Sequence, residues 1–392
     1  MKNNMAICAI VFGICTFIAV YAMVGYPLVL LVLNALLKPN EVKSDYSLTP
    51  SVLFIIPAYN EEKVIINKLK NALEFDYPNE LLTIVVSSDC STDSTNALVK
   101  QFIKENPNKN IHLYCAKNHM GKVNATNEAR AAFHADIVVV TDANSYLEKN
   151  AIRELVSYYA DSQIVYVCGQ LKYSNTNVSG TSDSESMYWN LELRMRDIES
   201  KLQTITAGNG ALFSCRYDEY VDFSPIRSHD SMMPYYYAMH GKRCVYNPNA
   251  IAIEKAGEDN QDEFKRKVRM NRDIFYWIAN GIPALNILKL KWFSFFYFGH
   301  RTCRYLLWFA HLCAFISTVV MAIMGSYLGM FTTGLQIVGV IITLLQMKNS
   351  ASNKYIRIIG YYGMTVAAQY VGIYRILTRQ TKPVWEKAET TR

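Results

Sequence analysis

Four aspartates and one lysine stand where short apolar runs end. Asp142 follows Ile137-Val138-Val139-Val140-Thr141, with Asn144 two residues on. Asp89 and Asp93 bracket the turn after 82–87, Lys122 follows Gly121 after 111–115, and Asp230 closes Ser228-His229-Asp230. Carboxylates at strand ends that face one cleft suit a nucleotide and a hard divalent cation, because one or two carboxylates and phosphate oxygens complete the shell of such an ion. Beside them, Gly121 would let backbone approach a ligand, and Lys122 would offer a point charge to phosphate. Asp230 has the chemistry of a base that takes a proton from an attacking hydroxyl. Each position also has a plainer reading: an Asx-turn at 142–144, helix caps at Asp93 and Asp230, a solvated lysine in a turn at 122.

These groups need a scaffold that brings strand ends together. The pattern predicts strands over 52–56, 82–87, 111–115 and 137–141, alternating with helices over 61–74, 93–105 and 123–134. Repeated βα units of this size imply an α/β fold with a mostly parallel sheet and helices on both faces. A later helix over 231–240 and a strand over 243–246 follow Asp230. Pro-bounded residues 38–50 read as a polar linker ahead of a globular domain over 51–285.

Hydrophobic residues make up 51% of the chain and charged ones 19%, a balance shifted towards membrane proteins. Met5 to Leu37 carries no charge and is long enough for one retained anchor, within residues 1–37. Tyr305 to Met347 reads as a helical hairpin turning at Gly325-Ser326-Tyr327, and Ile358 to Tyr374 sits at the lower limit for a span, giving C-terminal membrane helices over 305–377 and a tail over 378–392. Aromatics flanked by basic residues make 286–304 an interfacial segment or an aromatic belt. The net charge of +7 fits the basic flanks of a membrane protein better than a nucleic-acid footprint. Lys38, Lys43, Lys348, Lys354 and Arg357 place the globular domain in the cytosol, whereas Arg375, Arg379, Lys382, Lys387 and Arg392 would lie outside if the last run spans. Nine Cys without a CxxC pair, and scattered His, point to a reducing compartment and argue against zinc.

The order and spacing of these motifs over about 51–275 resemble the family 2 inverting glycosyltransferases, and the membrane plan is similar to polysaccharide synthases of the hyaluronan, chitin and cellulose type. The resemblance implies a GT-A-like nucleotide-sugar-binding domain. It places Asp142 and Asn144 at the DxD motif that holds Mg²⁺ or Mn²⁺, and Asp89 against the uracil base with Pro57, Ala58, Tyr59 and Glu61 lining the same pocket. It gives Lys122 and Arg269 to the diphosphate, Gly208, Asn209 and Gly210 to the acceptor, and the catalytic base to Asp230. One departure is plain: the QxxRW motif appears as Arg266-Lys267-Val268-Arg269-Met270, so an acceptor floor would have to come from Trp277 or Trp385. The implied activity is transfer of a hexose or N-acetylhexosamine from a UDP-sugar to a growing polysaccharide or lipid-linked glycan, at a bacterial inner membrane, with export or regulatory proteins left open. The alternative is a non-catalytic membrane protein that binds nucleotide sugar or glycan and regulates a synthase. A transporter would need paired broken helices, which the sequence does not suggest.

Overall fold

A computed structural model describes residues 2–174, 180–256, 259–348 and 353–381. Trp385 and the tail cations Lys382, Lys387 and Arg392 lie outside the described residues. The chain divides into two compact units, a helical one (Met1–Leu36, Thr176–Leu191, Gly257–Thr381) and a sheet one that includes Leu37–Asn175 and Glu192–Ala256.

The helical unit opens with α1 (Lys2–Val20), a π-helical turn at Tyr21–Gly25 and α2 (Tyr26–Leu36). The sheet unit then runs β1 (Val52–Ala58), α3 (Ile65–Ala72), β2 (Leu82–Ser88), α4 (Thr95–Glu105), β3 (Ile111–Cys115), α5 (Lys122–Ala132) and β4 (Ile137–Thr141). It continues through β5 (Tyr146–Leu147), α6 (Ala151–Ser157), β6 (Ile164–Tyr173), the end of α7 (Gly180–Leu202), β7 (Leu212–Arg216), α8 (His229–Met239) and β8 (Arg243–Glu254). The strand order is β3-β2-β1-β4-β7-β6-β8-β5. β3, β2, β1 and β4 are mutually parallel, β7 runs antiparallel to β4 and to β6, and β8 is parallel to β6. β1 and β4 are buried at every residue, which is why their sequences are unbroken apolar runs rather than alternations. α3 turns Ile65, Lys68, Leu69 and Ala72 inward at helical spacing.

Three element boundaries differ from the sequence pattern. Asn60 takes a left-handed φ of 53° and Glu61 opens a turn, so α3 starts at Ile65 and not at 61. Asp93 accepts from Thr95 N at 2.9 Å, so α4 starts two residues later than expected. α8 has Ser228 at its N-cap, so Asp230 lies inside the first turn rather than ahead of the helix.

The helical unit resumes with α9 (Asn260–Met270), α10 (Ile274–Ala284), α11 (Ile287–Leu290), α12 (Trp292–Phe296), a π-helical segment at Tyr297–Thr302 and α13 (Cys303–Tyr305). It ends with α14 (Leu307–Ile323), α15 (Tyr327–Lys348) and α16 (Lys354–Leu377). Two described helices, Asn3–Leu36 and Tyr327–Lys348, are long and apolar enough to cross a membrane. A third span exists if Trp292–Tyr305 and Leu307–Ile323, bent by 57°, count as one. The α14–α15 turn uses Gly325 at a φ of 85°. α16 does not reach the same standard, since its Tyr, Gly and Gln residues make it less apolar than α15. Within 286–304, Phe293, Phe296 and Tyr297 are buried in the helical unit, and Tyr26 packs 5.8 Å from both Phe295 and His300.

Candidate active site

The parallel strands change direction of connection at β1, which has β2 on one side and β4 on the other. In such sheets the crevice outside the carboxyl ends of the strands is the ligand site. Asp142 leaves the end of β4 into that crevice. Lys122, the first residue of α5, reaches it: its Nζ lies 2.5 Å from Asp142 Oδ1 and donates to Gly210 O at 2.9 Å. Both side chains are 21% exposed. Gly210 keeps this approach uncrowded, since a Cβ there would stand 3.2 Å from Lys122 Nζ and 3.6 Å from Asp142 Oδ2. Asn144 is half-buried in the turn that follows Asp142.

Asp89 is buried and organises the neighbouring loop. Its carboxylate accepts from Met120 N at 3.1 Å and Gly121 N at 2.8 Å, and His119 Nδ1 lies 2.8 Å away. Tyr59 stacks on His119 with ring centroids 4.1 Å apart. Asp89 thus links the end of β2 to the loop that delivers Gly121 and Lys122. The segment 57–61 closes the same corner: Ala58 O accepts from Asp89 N, and Asn60 Oδ1 accepts from Thr92 N at 2.7 Å. Pro57, next to last in β1, is in register with Ser87, and Glu61 is buried with its N–H bonded to Thr95 Oγ1. Asp93 works as a cap, taking Thr95 N on one oxygen and Glu62 N on the other.

The 208–210 loop joins this corner to Asp230. Gly208 N donates to Asp230 O at 2.7 Å, and Gly208 O accepts from Arg196 at 3.0 Å. Asn209 faces inward and is fully engaged: its amide donates to Gly169 O at 2.7 Å, and its oxygen accepts from Ala211 N and Leu212 N at 3.1 Å each. These bonds shape the loop. Asp230 is half-buried. Its neighbour His229 is buried between Tyr220 and Asn127, and burial, with the Lys122 charge second, lowers its pKa to about 3, so it is neutral. Tyr166 lies beneath Gly208 with a buried hydroxyl that has no hydrogen bond among the described residues.

Lys68 was not singled out by the sequence pattern. It is wholly buried, and its Nζ donates to Thr141 Oγ1 at 3.1 Å and to Ser145 O, gripping both ends of the turn that carries Asp142 and Asn144. Burial lowers its pKa to about 7 against the pull of Asp142 and Glu254. The signal was present in the chain, because Ile65, Leu69 and Ala72 define an apolar face on which Lys68 also lies.

A divalent cation fits this donor set only as a shared ligand. Asp142 and Asn144 offer oxygens of the hard type, and the described residues contain no cluster of three or more His, Cys, Asp or Glu. A cation here needs the oxygens of a phosphorylated ligand to complete its shell. Arg269 lies in the last turn of α9, in the helical unit, as does Trp277, whose ring stacks on Tyr305.

Comparison with known proteins gives a consistent assignment. Residues 50–272 match the model of the family described as "Glycosyltransferase like family 2". The chain is 33% identical over 111 residues to the beta-monoglucosyldiacylglycerol synthase of Synechocystis sp., covering 28% of this chain and 23% of that one. It is 26% identical over 157 residues to the hyaluronan synthase of Streptococcus pyogenes, covering 39% and 36% respectively. These matches thus span about a quarter to a third of the relatives' length. The fold matches that of the mannosyltransferase PcManGT from Pyrobaculum calidifontis, solved in complex with GDP-Man and Mn²⁺, with a TM-score of 0.73, 22% identity, and coverage of 94% of this chain and 99% of that one.

Proposed function

The chain belongs to the family 2-like glycosyltransferases, and on that premise we propose that it transfers a sugar with inversion from a nucleotide-sugar donor, a UDP-sugar in the first instance, to a glycan or lipid-linked acceptor at a membrane. One observation carries the reading. Asp142 and Lys122 converge at the carboxyl edge of β4, and a single loop, 208–210, ties that pair to the backbone of Asp230.

The division of labour follows from charge. Asp142, with Asn144, would hold Mg²⁺ or Mn²⁺, which would supply positive charge to the diphosphate leaving group. Lys122 supplies a second positive charge to the same diphosphate, and Arg269 is assigned a like role on the motif alone. Asp89 fixes the loop that aims Lys122 and borders the base pocket with Pro57, Ala58, Tyr59 and Glu61. Asp230 accepts the proton of the acceptor hydroxyl as its oxygen bonds to the anomeric carbon and the bond to the nucleoside diphosphate breaks. Gly208 and Gly210 offer backbone to the acceptor sugar, with Asn209 holding that backbone in place. The two apolar helices support membrane attachment, and the basic flanks support a cytosolic sheet unit in a bacterial inner membrane.

The test is nucleoside diphosphate release from membranes offered a panel of UDP- and GDP-sugars, with Mn²⁺, Mg²⁺ or a chelator. Release with one donor, abolished by chelation, supports the reading. Binding of donor without release under any acceptor would favour a regulatory role instead.

A further inference from the structure

The last helix, α16, is long enough to span a bilayer, yet its partners all sit at one end of the helical unit. Gly360 approaches α15 at Gln346 and Gly363 approaches it at Thr343, both near the end of α15 at Lys348. Among the described residues, the hydrogen bonds of α16 to α14 fall in the opening turns: Tyr362 bonds His311 at 2.7 Å, Gln369 Oε1 accepts from Trp308 N at 2.9 Å, and Tyr370 donates to Trp308 O at 2.7 Å. Val366 packs with Leu307, Cys303 and Ala22. α16 also packs against α10 and against the polar helix α9 with its C-cap Asn271. Tyr361 donates to Glu263 at 2.9 Å, and a Cβ on Gly372 would lie 2.9 Å from Asn271 Cβ. α9 is held to the same place through Asn260, which donates to Gln346 O at 2.7 Å.

A helix spanning antiparallel to α15 would descend by about 1.5 Å per residue and meet the middle of α15 a few turns after Gly360. α16 does otherwise. Twelve residues after Gly360, Gly372 is beside Asn271. The glycines Gly334 and Gly339 in the middle of α15 have no atom within 4 Å of their Cβ positions. Tyr355, Tyr374 and Arg375 are exposed on α16 and Arg379 just past its end, the mix of aromatic and basic groups found at headgroup level.

We propose that α16 is a surface helix that lies along α9 against the headgroups of one leaflet, so that Arg375 and Arg379 remain on the side of Lys348. This removes the conflict in the basic residues, since the cations on both sides of α16 now face the same compartment. The inference rests on the reading that α1–α2 and α15 cross the membrane.

Single cysteines at exposed sites test it in the full-length protein. Gln380→Cys reports the end of α16, Lys348→Cys one end of α15, and Tyr327→Cys the other. Each is labelled with a membrane-impermeant maleimide in right-side-out and in inside-out vesicles, against the background of the native cysteines. The proposal expects Gln380→Cys to label from the same side as Lys348→Cys and the opposite side to Tyr327→Cys. Labelling of Gln380→Cys with Tyr327→Cys would overturn it and make α16 a span. If Lys348→Cys and Tyr327→Cys label from one side, α15 does not span, and the membrane reading fails before the placement of α16 is reached.

Discussion

Gly208→Ala is the most revealing small change. A Cβ at this position would collide with the Tyr166 hydroxyl, lie 3.1 Å from its Cζ and 3.3 Å from Cys168 Sγ. Tyr166 cannot swing aside easily, since it is wholly buried and stacked on Phe213 with centroids 5.5 Å apart. Overpacking of this kind costs about 1–3 kcal/mol, which lowers the melting temperature by roughly 2–4 °C per kcal/mol in a unit of this size. The chemical effect is larger, because Gly208 N holds Asp230 O at 2.7 Å and any backbone shift moves the base. A displacement near 1 Å would lower kcat by about a hundredfold, with donor affinity almost unchanged. The assay pairs thermal unfolding with turnover and UDP binding for the wild type, Gly208→Ala, Tyr166→Phe and the double variant. Because the Tyr166 hydroxyl lacks a partner, Tyr166→Phe alone should be close to neutral. In the double variant it should restore much of the lost stability. If Gly208→Ala keeps wild-type stability and turnover, or if Tyr166→Phe gives no relief, the packing argument is refuted.

Three further outcomes follow from the same geometry. Lys68 has a folded pKa near 7, far below that of the unfolded side chain, so the unfolded state binds more protons above pH 7 and stability should rise from pH 7 towards 10. One proton corresponds to at most about 1.4 kcal/mol per pH unit; Lys68→Met should remove that slope in denaturant midpoints, and an unchanged slope contradicts the assignment. Asn209→Ala should destabilise by about 1–3 kcal/mol by stranding buried backbone groups, while UDP affinity measured by calorimetry stays within a few-fold. Lys122→Met should weaken UDP binding by about tenfold to a hundredfold, the loss expected for a charge-assisted contact of about 1.5–3 kcal/mol, and equal affinity would remove Lys122 from the diphosphate.

Much of the sheet unit was legible because its central strands are buried on both faces. Val52–Ala58 and Ile137–Thr141 therefore read as apolar runs that stop at a polar turn. The GT-A-like fold class and the glycosyltransferase family follow from that alternation and its motifs. Helix starts were less visible. The left-handed Asn60 and the capping Asp93 belong to one loop pair whose hydrogen bonds cross from 60 to 92, and local propensity carries no trace of them. The same limit hides the work of Asp89, whose carboxylate is taken up by backbone about thirty residues on. It also hides that of Asn209, whose partner is the carbonyl of Gly169 on β6. Side chains at a site can be recognised by type and spacing, but whether they face ligand or support the loop is decided by strand pairing. Lys68 is the instructive omission: a charged residue on an apolar helix face looks like an interruption until the turn above it is known.

The central claim is that Asp230 is the base while Asp142 and Lys122 serve the donor. Asp230→Asn keeps the size of the side chain, its place in the first turn of α8 and the backbone bond to Gly208. Single-turnover transfer and UDP binding, measured on the same purified variant in the presence of Mn²⁺, test the claim most directly. The account predicts a fall in transfer of at least about a hundredfold, of the order contributed by a positioned base, with UDP affinity within a few-fold of wild type. Transfer that stays within tenfold of wild type would contradict it and remove Asp230 from the reaction.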